Sequence, residues 1–460
     1  MATFSIENFG CRATDADASA LRRDLLGGGL ALVEDHERAD VVVLNTCTVT
    51  AAADSQAREA VRKIHRTNPG ARIVVTGCYA QRAPDEIAQL QGVEFVVGNS
   101  HQTEIARLIC SPSHESLEQI APIEAATYGE ASRHDFLPLA GIDREAMSLA
   151  RGPAKILTGD IFAQSAVQIA PAALEDGHTR PILKIQDGCN NRCSYCVIPF
   201  VRGKSRSLPP DTVIAEIRKL VDAGAKEVVL SGINLGSYGR DLAPRAELGS
   251  TVRRILDETD LEQLRFSSIE PQDVTEEFIA LVASSGRIAP HFHVPLQSGS
   301  DRILRAMHRW YRAEHYAERV RRIRRQSPNA AIGADVIVGF PGETGEDFQA
   351  TVDFIEGLPV TYLHVFSFST RPGTEAGKFS PGQQVAPGVI RERARHLRAL
   401  GQKKSDDFRA AQSGRTLRAL TLARTGENWT EALTGNYLKV RVAGFRSPNQ
   451  WCDVTLEDAS

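Results

Sequence analysis

The sequence predicts an α/β protein in three parts: a parallel sheet with helices on both faces, a partial barrel of six βα units, and a small all-β tail. Three observations lead there. Residues 3–100 alternate short apolar runs, such as DVVVLN at 40–45, with amphipathic stretches, the pattern of parallel strands joined by helical crossovers. Residues 181–370 repeat that alternation six times. From about Gly414 the helical periodicity stops and four short strand-like runs follow.

In the first part strands are predicted at 3–9, 40–45, 72–76 and 94–97, and helices at 15–26, 54–66 and 84–90. This suits a flavodoxin-like or Rossmann-like sheet over 1–105. Residues 106–180 have weak periodicity and scattered Pro and Gly, with a short helix possible at 144–149, and read as a long connection. The barrel, 181–412, takes strands at 182–186, 227–230, 263–268, 291–296, 334–338 and 362–366. Its helices fit at 211–223, 252–259, 275–284, 301–307, 313–325 and 345–356. The tail, 413–460, takes strands at 416–423, 429–433, 438–442 and 452–456. A unit that small is a poor independent folder, so it is expected to pack on the barrel.

The 460 residues, 42% hydrophobic and 24% charged, are ordinary for a globular protein. No apolar run is long enough to span a bilayer, and residues 1–8 lack a basic-then-apolar export pattern. The chain is therefore expected in the cytoplasm, where its eight cysteines would serve as thiolates rather than disulfides. A net charge of −3 excludes reading nucleic-acid binding from the total; it would have to come from local basic faces.

The densest chemistry is Cys189-Asn190-Asn191-Arg192-Cys193-Ser194-Tyr195-Cys196. Three thiolates at this spacing can hold three corners of a cubane iron–sulfur cluster and leave the fourth iron open to a small chelating molecule. The competing reading is a zinc knuckle, but no second Cys-x-x-Cys pair or His-x-x-x-His run accompanies it. Cys11, Cys47 and Cys78 each fall one or two residues past a predicted strand. In a parallel sheet those ends share one edge, where ligands bind, so the three can converge. The bland alternative is three cysteines acting as small buried hydrophobes. Cys110 and Cys452 lack such a context and are taken as non-ligands.

Several stretches resemble the radical S-adenosylmethionine (SAM) methylthiotransferases. Phe9-Gly10-Cys11, Asn45-Thr46-Cys47-Thr48-Val49-Thr50 and Thr76-Gly77-Cys78-Tyr79-Ala80-Gln81 are similar to their N-terminal domain. Gln186 through Pro199 and on to Arg202-Gly203 is similar to their radical SAM core. The resemblance implies two [4Fe–4S] clusters, on Cys189, Cys193 and Cys196 and on Cys11, Cys47 and Cys78, with SAM on the open iron of the first. It also implies SAM contacts at strand ends: Ser231, Gly232 and Asn234; Ser268 and Glu270; Gln297; Val338 and Gly339. Turn-forming residues at such places are otherwise unremarkable. Tyr195 is expected only to pack beside the cluster.

The implied activity is transfer of a methylthio group to a C–H carbon. Within the family the chain most resembles the branch acting on C2 of N6-threonylcarbamoyladenosine beside the tRNA anticodon. The N6-isopentenyladenosine branch stands second and the ribosomal-protein aspartate branch third. A non-catalytic iron–sulfur sensor would explain the cysteines but not the strand-end SAM features. The tail resembles the RNA-binding TRAM domain through Glu431 to Tyr437. Residues 302–325 hold nine arginines and two glutamates around Trp310 and Tyr311, either a solvated helix face or a phosphate- and base-contacting surface. Partners implied are tRNA through its anticodon loop, a cellular electron donor and a sulfur source, with the chain acting as a monomer.

Overall fold

The computed structural model describes residues 1–110, 154–167 and 179–456. The chain forms two compact units, Met1–Gln168 with Ile198–Lys204, and Ile169–Val197 with Ser205–Ser460. The helix expected at 144–149 lies outside the described residues.

The first unit is built on a parallel sheet of β1 (Thr3–Phe9), β2 (Ala31–Leu32), β3 (Val41–Thr46), β4 (Arg72–Gly77), β5 (Val93–Gly98) and β6 (Lys155–Leu157). The order is β2-β1-β3-β4-β5-β6, so the first five strands follow the flavodoxin-like order with its switch point between β1 and β3. Alternation along β3 explains its unbroken apolar run. Val41 and Val43 join Phe4, Leu21, Leu25 and Ile105 on one face; Val42 and Leu44 join Ala57, Val61, Ile64 and Ile87 on the other. Each fully buried Val or Leu contributes about 1.5–3 kcal/mol, and where the strand ends in the buried Asn45 and Thr46 their side chains donate to the Thr14 and Thr76 carbonyls.

Two expectations are corrected here. Lys155–Leu157, placed in the connection, pairs in parallel with β5. A three-residue edge strand carries too little periodicity to be seen in sequence. The second helix starts at Ala51 rather than at 54, because Thr50 accepts a hydrogen bond from the Ala53 N–H at 3.2 Å and caps it.

In the second unit six parallel strands follow in chain order: β7 (Ile182–Asp187), β9 (Glu227–Gly232), β10 (Gln263–Phe266), β11 (His291–His293), β12 (Ala331–Val338) and β13 (Tyr362–Ser367). A short antiparallel edge, β8 (Arg206–Ser207), flanks β7. β10 and β11 stop earlier than the sequence suggests. Past them the pairing continues through the bridges Ser268–His293 and Gln297–Val336 and through backbone hydrogen bonds such as Val294 N–H to the Gly333 carbonyl. The barrel helices stand close to their expected places, and a further one, Pro387–Ala410, lies along β13, where Gly401 admits Leu363.

The tail forms β14 (Thr416–Gly426), β15 (Trp429–Thr434), β16 (Lys439–Ala443) and β17 (Trp451–Thr455), antiparallel in the order β16-β15-β14-β17. It packs on the barrel as expected. Ala419, Ala432 and Leu438 share a core with Ala331 and Phe408. The fully buried Arg265 donates both to Glu227 at 2.7 Å and to the carbonyl of Gly435 at 3.0 Å. Among the described residues no helix is long and apolar enough to cross a membrane.

Candidate metal centres

In the first unit one row of the sheet sets the site. Phe9 pairs with Thr46, and Thr46 with Gly77. Cys11 comes two residues after this row on β1, Cys47 one residue after it on β3, and Cys78 one residue after it on β4. Three adjacent parallel strands thus deliver three thiols to one edge. Gly77 takes φ +97°, and a Cβ there would lie 2.3 Å from the Thr46 carbonyl oxygen. Only glycine lets β4 press this closely on β3 before turning into the helix Cys78–Arg82. A Cβ on Gly10 would likewise lie 3.0 Å from that of Cys47.

Cys11 is exposed, while Cys47 and Cys78 are buried. Burial pushes the Cys47 thiol up to about 12, with Cys78 and Cys11 adding to it and Arg202 opposing. Burial also raises Cys78, again against Arg202. Such thiols stay protonated at neutral pH unless a metal displaces the proton. The Val49 N–H and the Asn99 side-chain amide donate to Cys47 and Cys78 Sγ, each at 3.5 Å; hydrogen bonds to sulfur suit a ligating thiolate. Sequence reasoning missed Asn99, Asp17 and the role of Arg202. The Arg202 guanidinium lies 2.7 Å from Asp17, both side chains buried, within reach of the two buried thiols.

In the second unit Cys189–Cys196 leaves the carboxyl end of β7 through Gly188, which has φ +70° and donates its N–H to Asp187. Gln186 is the hidden organiser of this turn. Fully buried, its amide donates to the carbonyls of Asp187 and Gly188 and to Ser205 Oγ, and its oxygen accepts from the Asn234 N–H at 2.8 Å. Ser194 pins the far side, donating to the Ala306 and Met307 carbonyls and accepting from the Ala376 N–H. Tyr195 packs with Ile303, Met307 and Phe340, as expected.

The Asn191 N–H donates to Cys189 Sγ at 3.4 Å and Arg309 Nη1 to Cys193 Sγ at 3.3 Å. Burial pushes the Cys189 thiol up to about 11, the Asn191 N–H acting against it. A cleft of about 140 Å³ opens between Asn190 and Asn191 of the loop and Ser205, Asn234, Ser237 and Arg240.

Of the strand-end residues, Asn234 and Glu270 are brought to the cysteines, Asn234 at 3.9 Å from Cys189 and Glu270 through its ion pair with Arg309. Gly232 abuts Gln186. Ser231 is buried within β9, and Ser268 bridges to His293. Gln297 turns with φ 66°, its N–H on the Asp335 carbonyl. Val338 is buried, and Gly339 makes room for Ile390 while its N–H donates to Glu343, so its glycine character serves helix packing.

The arginine-rich segment is corrected in detail. Arg302 pairs with Asp347, Arg309 with Glu270, Arg321 with Glu314, and Arg322 with Glu276 and Glu318. Arg324 donates to the Pro328 and Pro359 carbonyls. Tyr311, proposed for base stacking, is buried with its hydroxyl on the Leu296 carbonyl at 2.8 Å. Trp310 alone of the two aromatics is exposed, at 76%. Asp347, Glu270 and Glu276, distant in sequence, hid much of this internal use of charge.

Both cysteine sets fit a cluster better than one ion. Among the described residues neither set places its three Sγ atoms within 4.8 Å of one another. A single zinc ion with Zn–S bonds of about 2.3 Å needs sulfurs about 3.8 Å apart.

Residues 183–355 match the radical SAM superfamily, and residues 3–98 match an uncharacterized protein family, UPF0004. A solved structure of TsrM, a radical SAM methyltransferase from Kitasatospora setae with cobalamin and a [4Fe–4S] cluster bound, superposes with a TM-score of 0.56. It is 19% identical, over 82% of this chain and 77% of that one; the likeness is one of fold. Among curated proteins, the threonylcarbamoyladenosine tRNA methylthiotransferase MtaB of Aquifex aeolicus is 37% identical over 96% of this chain and 97% of its own length. The Bacillus subtilis protein of the same name is 34% identical over 96% and 91%. A tRNA-2-methylthio-N(6)-dimethylallyladenosine synthase of Desulforamulus reducens is 32% identical over 92% and 86%.

The barrel, with its three-cysteine loop after the first strand, is that of a radical SAM protein. Taken over its whole length, the chain belongs to the radical SAM methylthiotransferase family.

Proposed function

We propose that the protein is a radical SAM methylthiotransferase that converts the C2–H of N6-threonylcarbamoyladenosine in tRNA to C2–SCH₃, using SAM and two [4Fe–4S] clusters. The observation that carries this is the pair of three-thiol sets, one at the switch point of the first sheet and one after the first barrel strand. The branch rests on the similarity to the two MtaB proteins.

Cys189, Cys193 and Cys196 hold the first cluster; Cys11, Cys47 and Cys78 hold the second. Bound there, the clusters and SAM would supply the radical, sulfur-transfer and methyl-transfer chemistry that no side chain can provide. The chain's own residues bind and orient. The Asn191 N–H and the Arg309 guanidinium donate to sulfur, offsetting thiolate charge. Glu270 fixes Arg309 in that position. Gln186 locks the loop to the Asn234 turn, so the SAM-side cleft keeps its shape. Asn234 and Glu270 are the favoured SAM contacts; Ser231, Gly232, Ser268, Gln297, Val338 and Gly339 shape the barrel mouth around them.

Residues 413–460 take the tRNA-binding, TRAM-like role. Arg441 stacks over Trp429 at 4.5 Å, a pair suited to base stacking and phosphate contact, while Arg418, over Trp451 at 3.9 Å, is paired with Glu262. The protein works as a monomer in the cytoplasm, with a cellular electron donor and sulfur source.

Nucleoside mass spectrometry of tRNA from cells with and without the gene tests the reading. Loss of the methylthio form of threonylcarbamoyladenosine on deletion supports it. Loss of methylthio-isopentenyladenosine instead moves the chain to the second branch, to which the Desulforamulus reducens protein points by its name.

A further inference from the structure

One polar cluster of the barrel takes part in neither the cysteine chemistry nor the core. β11, β12 and β13 lie side by side, with Asp335 paired opposite His364. Leu363 is turned to the long helix, against Gly401. Alternation then turns His364 to the concave face of the barrel, where it is 48% exposed. Asp335 Oδ1 accepts from His293 Nε2 at 2.8 Å and from His364 Nδ1 at 3.2 Å. Burial would raise the Asp335 carboxyl, yet the two imidazoles hold it well below the ordinary carboxylate range. The same wall leads to the cysteines: the Asp335 charge acts on Glu270, Glu270 pairs with Arg309, and Arg309 donates to Cys193.

The hydrogen bonds fix the chemistry the cluster can present. With both rings turned to one carboxylate oxygen, His364 carries its proton on Nδ1, and Nε2 is the ring atom on offer to a ligand. In that form Nε2 accepts from a hydroxyl, and in the doubly protonated ring Nε2–H donates to an anion. Two imidazoles and a carboxylate are also a set that transition metals use. Here, however, Asp335 Oδ1 is already accepting from both rings at hydrogen-bond distance, which fits protons rather than an ion between them.

We propose that His364, held by Asp335 and backed by His293, is the subsite for the carboxylate of the threonylcarbamoyl arm, and so the point at which the barrel tells that arm from a hydrocarbon one. The inference rests on the substrate reading above. The threonylcarbamoyl group ends in a carboxylate beside a hydroxyl: a bare Nε2 accepts from the hydroxyl and an Nε2–H donates to the carboxylate, whereas an isopentenyl group offers neither and leaves the imidazole unsatisfied. Sites built to hydrogen-bond a substrate group reject the analogue without it far more strongly than apolar pockets reject shape.

The test uses reconstituted holoenzyme and one tRNA carrying either threonylcarbamoyl- or isopentenyladenosine. His364→Ala should lower kcat/KM on the threonylcarbamoyl tRNA by about 10–100-fold, mainly through KM. Reductive SAM cleavage without tRNA should be unchanged. His364→Gln, which keeps a donor, should recover part of the loss. Two outcomes overturn the subsite: wild type modifies the threonylcarbamoyl tRNA and His364→Ala does so equally well, or wild type carries one equivalent of a non-iron metal whose chelation reproduces the defect. If wild type modifies only the isopentenyl tRNA, the substrate reading itself fails, and the subsite with it.

Discussion

The Arg202 guanidinium lies 2.7 Å from the Asp17 carboxylate, both side chains at most 2% exposed, beside the buried thiols of Cys47 and Cys78. Arg202 is six residues past Cys196 in sequence, yet its segment, Ile198–Lys204, belongs to the first unit. One arginine thus balances Asp17 and opposes the rise of the two buried thiols.

Arg202→Met should therefore be costly in two ways. Removing one side of a buried ion pair costs about 3–5 kcal/mol, read as a lower urea midpoint. The site should also retain less iron. The double variant Arg202→Met, Asp17→Leu should regain much of the stability but not the iron, since it restores packing without the positive charge. Equal recovery of both would show that the arginine acts on the fold alone.

The two thiol sets should separate in their defects. Alanine at Cys189, Cys193 or Cys196 should abolish reductive cleavage of SAM to 5′-deoxyadenosine. Alanine at Cys11, Cys47 or Cys78 should leave that cleavage and abolish methylthiolation. Iron per chain should fall from about eight to about four in either case. Loss of SAM cleavage from the second group would contradict the division of labour.

Gly77→Ala probes the sheet edge. The residue would need a left-handed φ and would meet the Thr46 carbonyl oxygen at 2.3 Å. Strain of this kind costs about 1–3 kcal/mol, and relief requires β4 to move off β3, which separates Cys47 from Cys78. A lower denaturation midpoint with reduced iron loading of the first unit is the expected result.

Asp347 supplies a pH test. Burial opposes its ionisation, but hydrogen bonds from Arg302, the Thr344 N–H and Ser300 overcome this and hold it below its ordinary value of 3.8. A carboxyl lowered by folding contributes stability that is fully present above the unfolded value and is lost as pH falls toward the folded one. Asp347→Ala also breaks the capping box of the helix Gly345–Glu356, and should cost about 1–2 kcal/mol at pH 7. In urea titrations that gap should hold down to about pH 4 and shrink below it. A gap that widens on acidification would show the sign to be wrong.

The cysteines were readable because their spacing and their strand-end positions survive in one dimension. Arg309 was not. It sat in a run of nine arginines read as an outer surface, and only the fold shows Glu270 and Cys193 waiting for it. Gln186 was quoted as part of a motif, but its four hydrogen bonds depend on Ser205 and Asn234 arriving from elsewhere. Lys155–Leu157 was placed in a connection because three residues hold no period; its strand character comes from the exposed edge of β5.

By itself the sequence determined the strand and helix alternation, the six cysteines and the family, because each depends on local periodicity or on residue type at fixed spacing. Tertiary structure decided which charges meet. It set Arg202 on Asp17, Arg309 between Glu270 and Cys193, and His293 and His364 on one oxygen of Asp335. The reason is physical: a buried charge must find its partner in space, and chain separation carries no record of which one it finds.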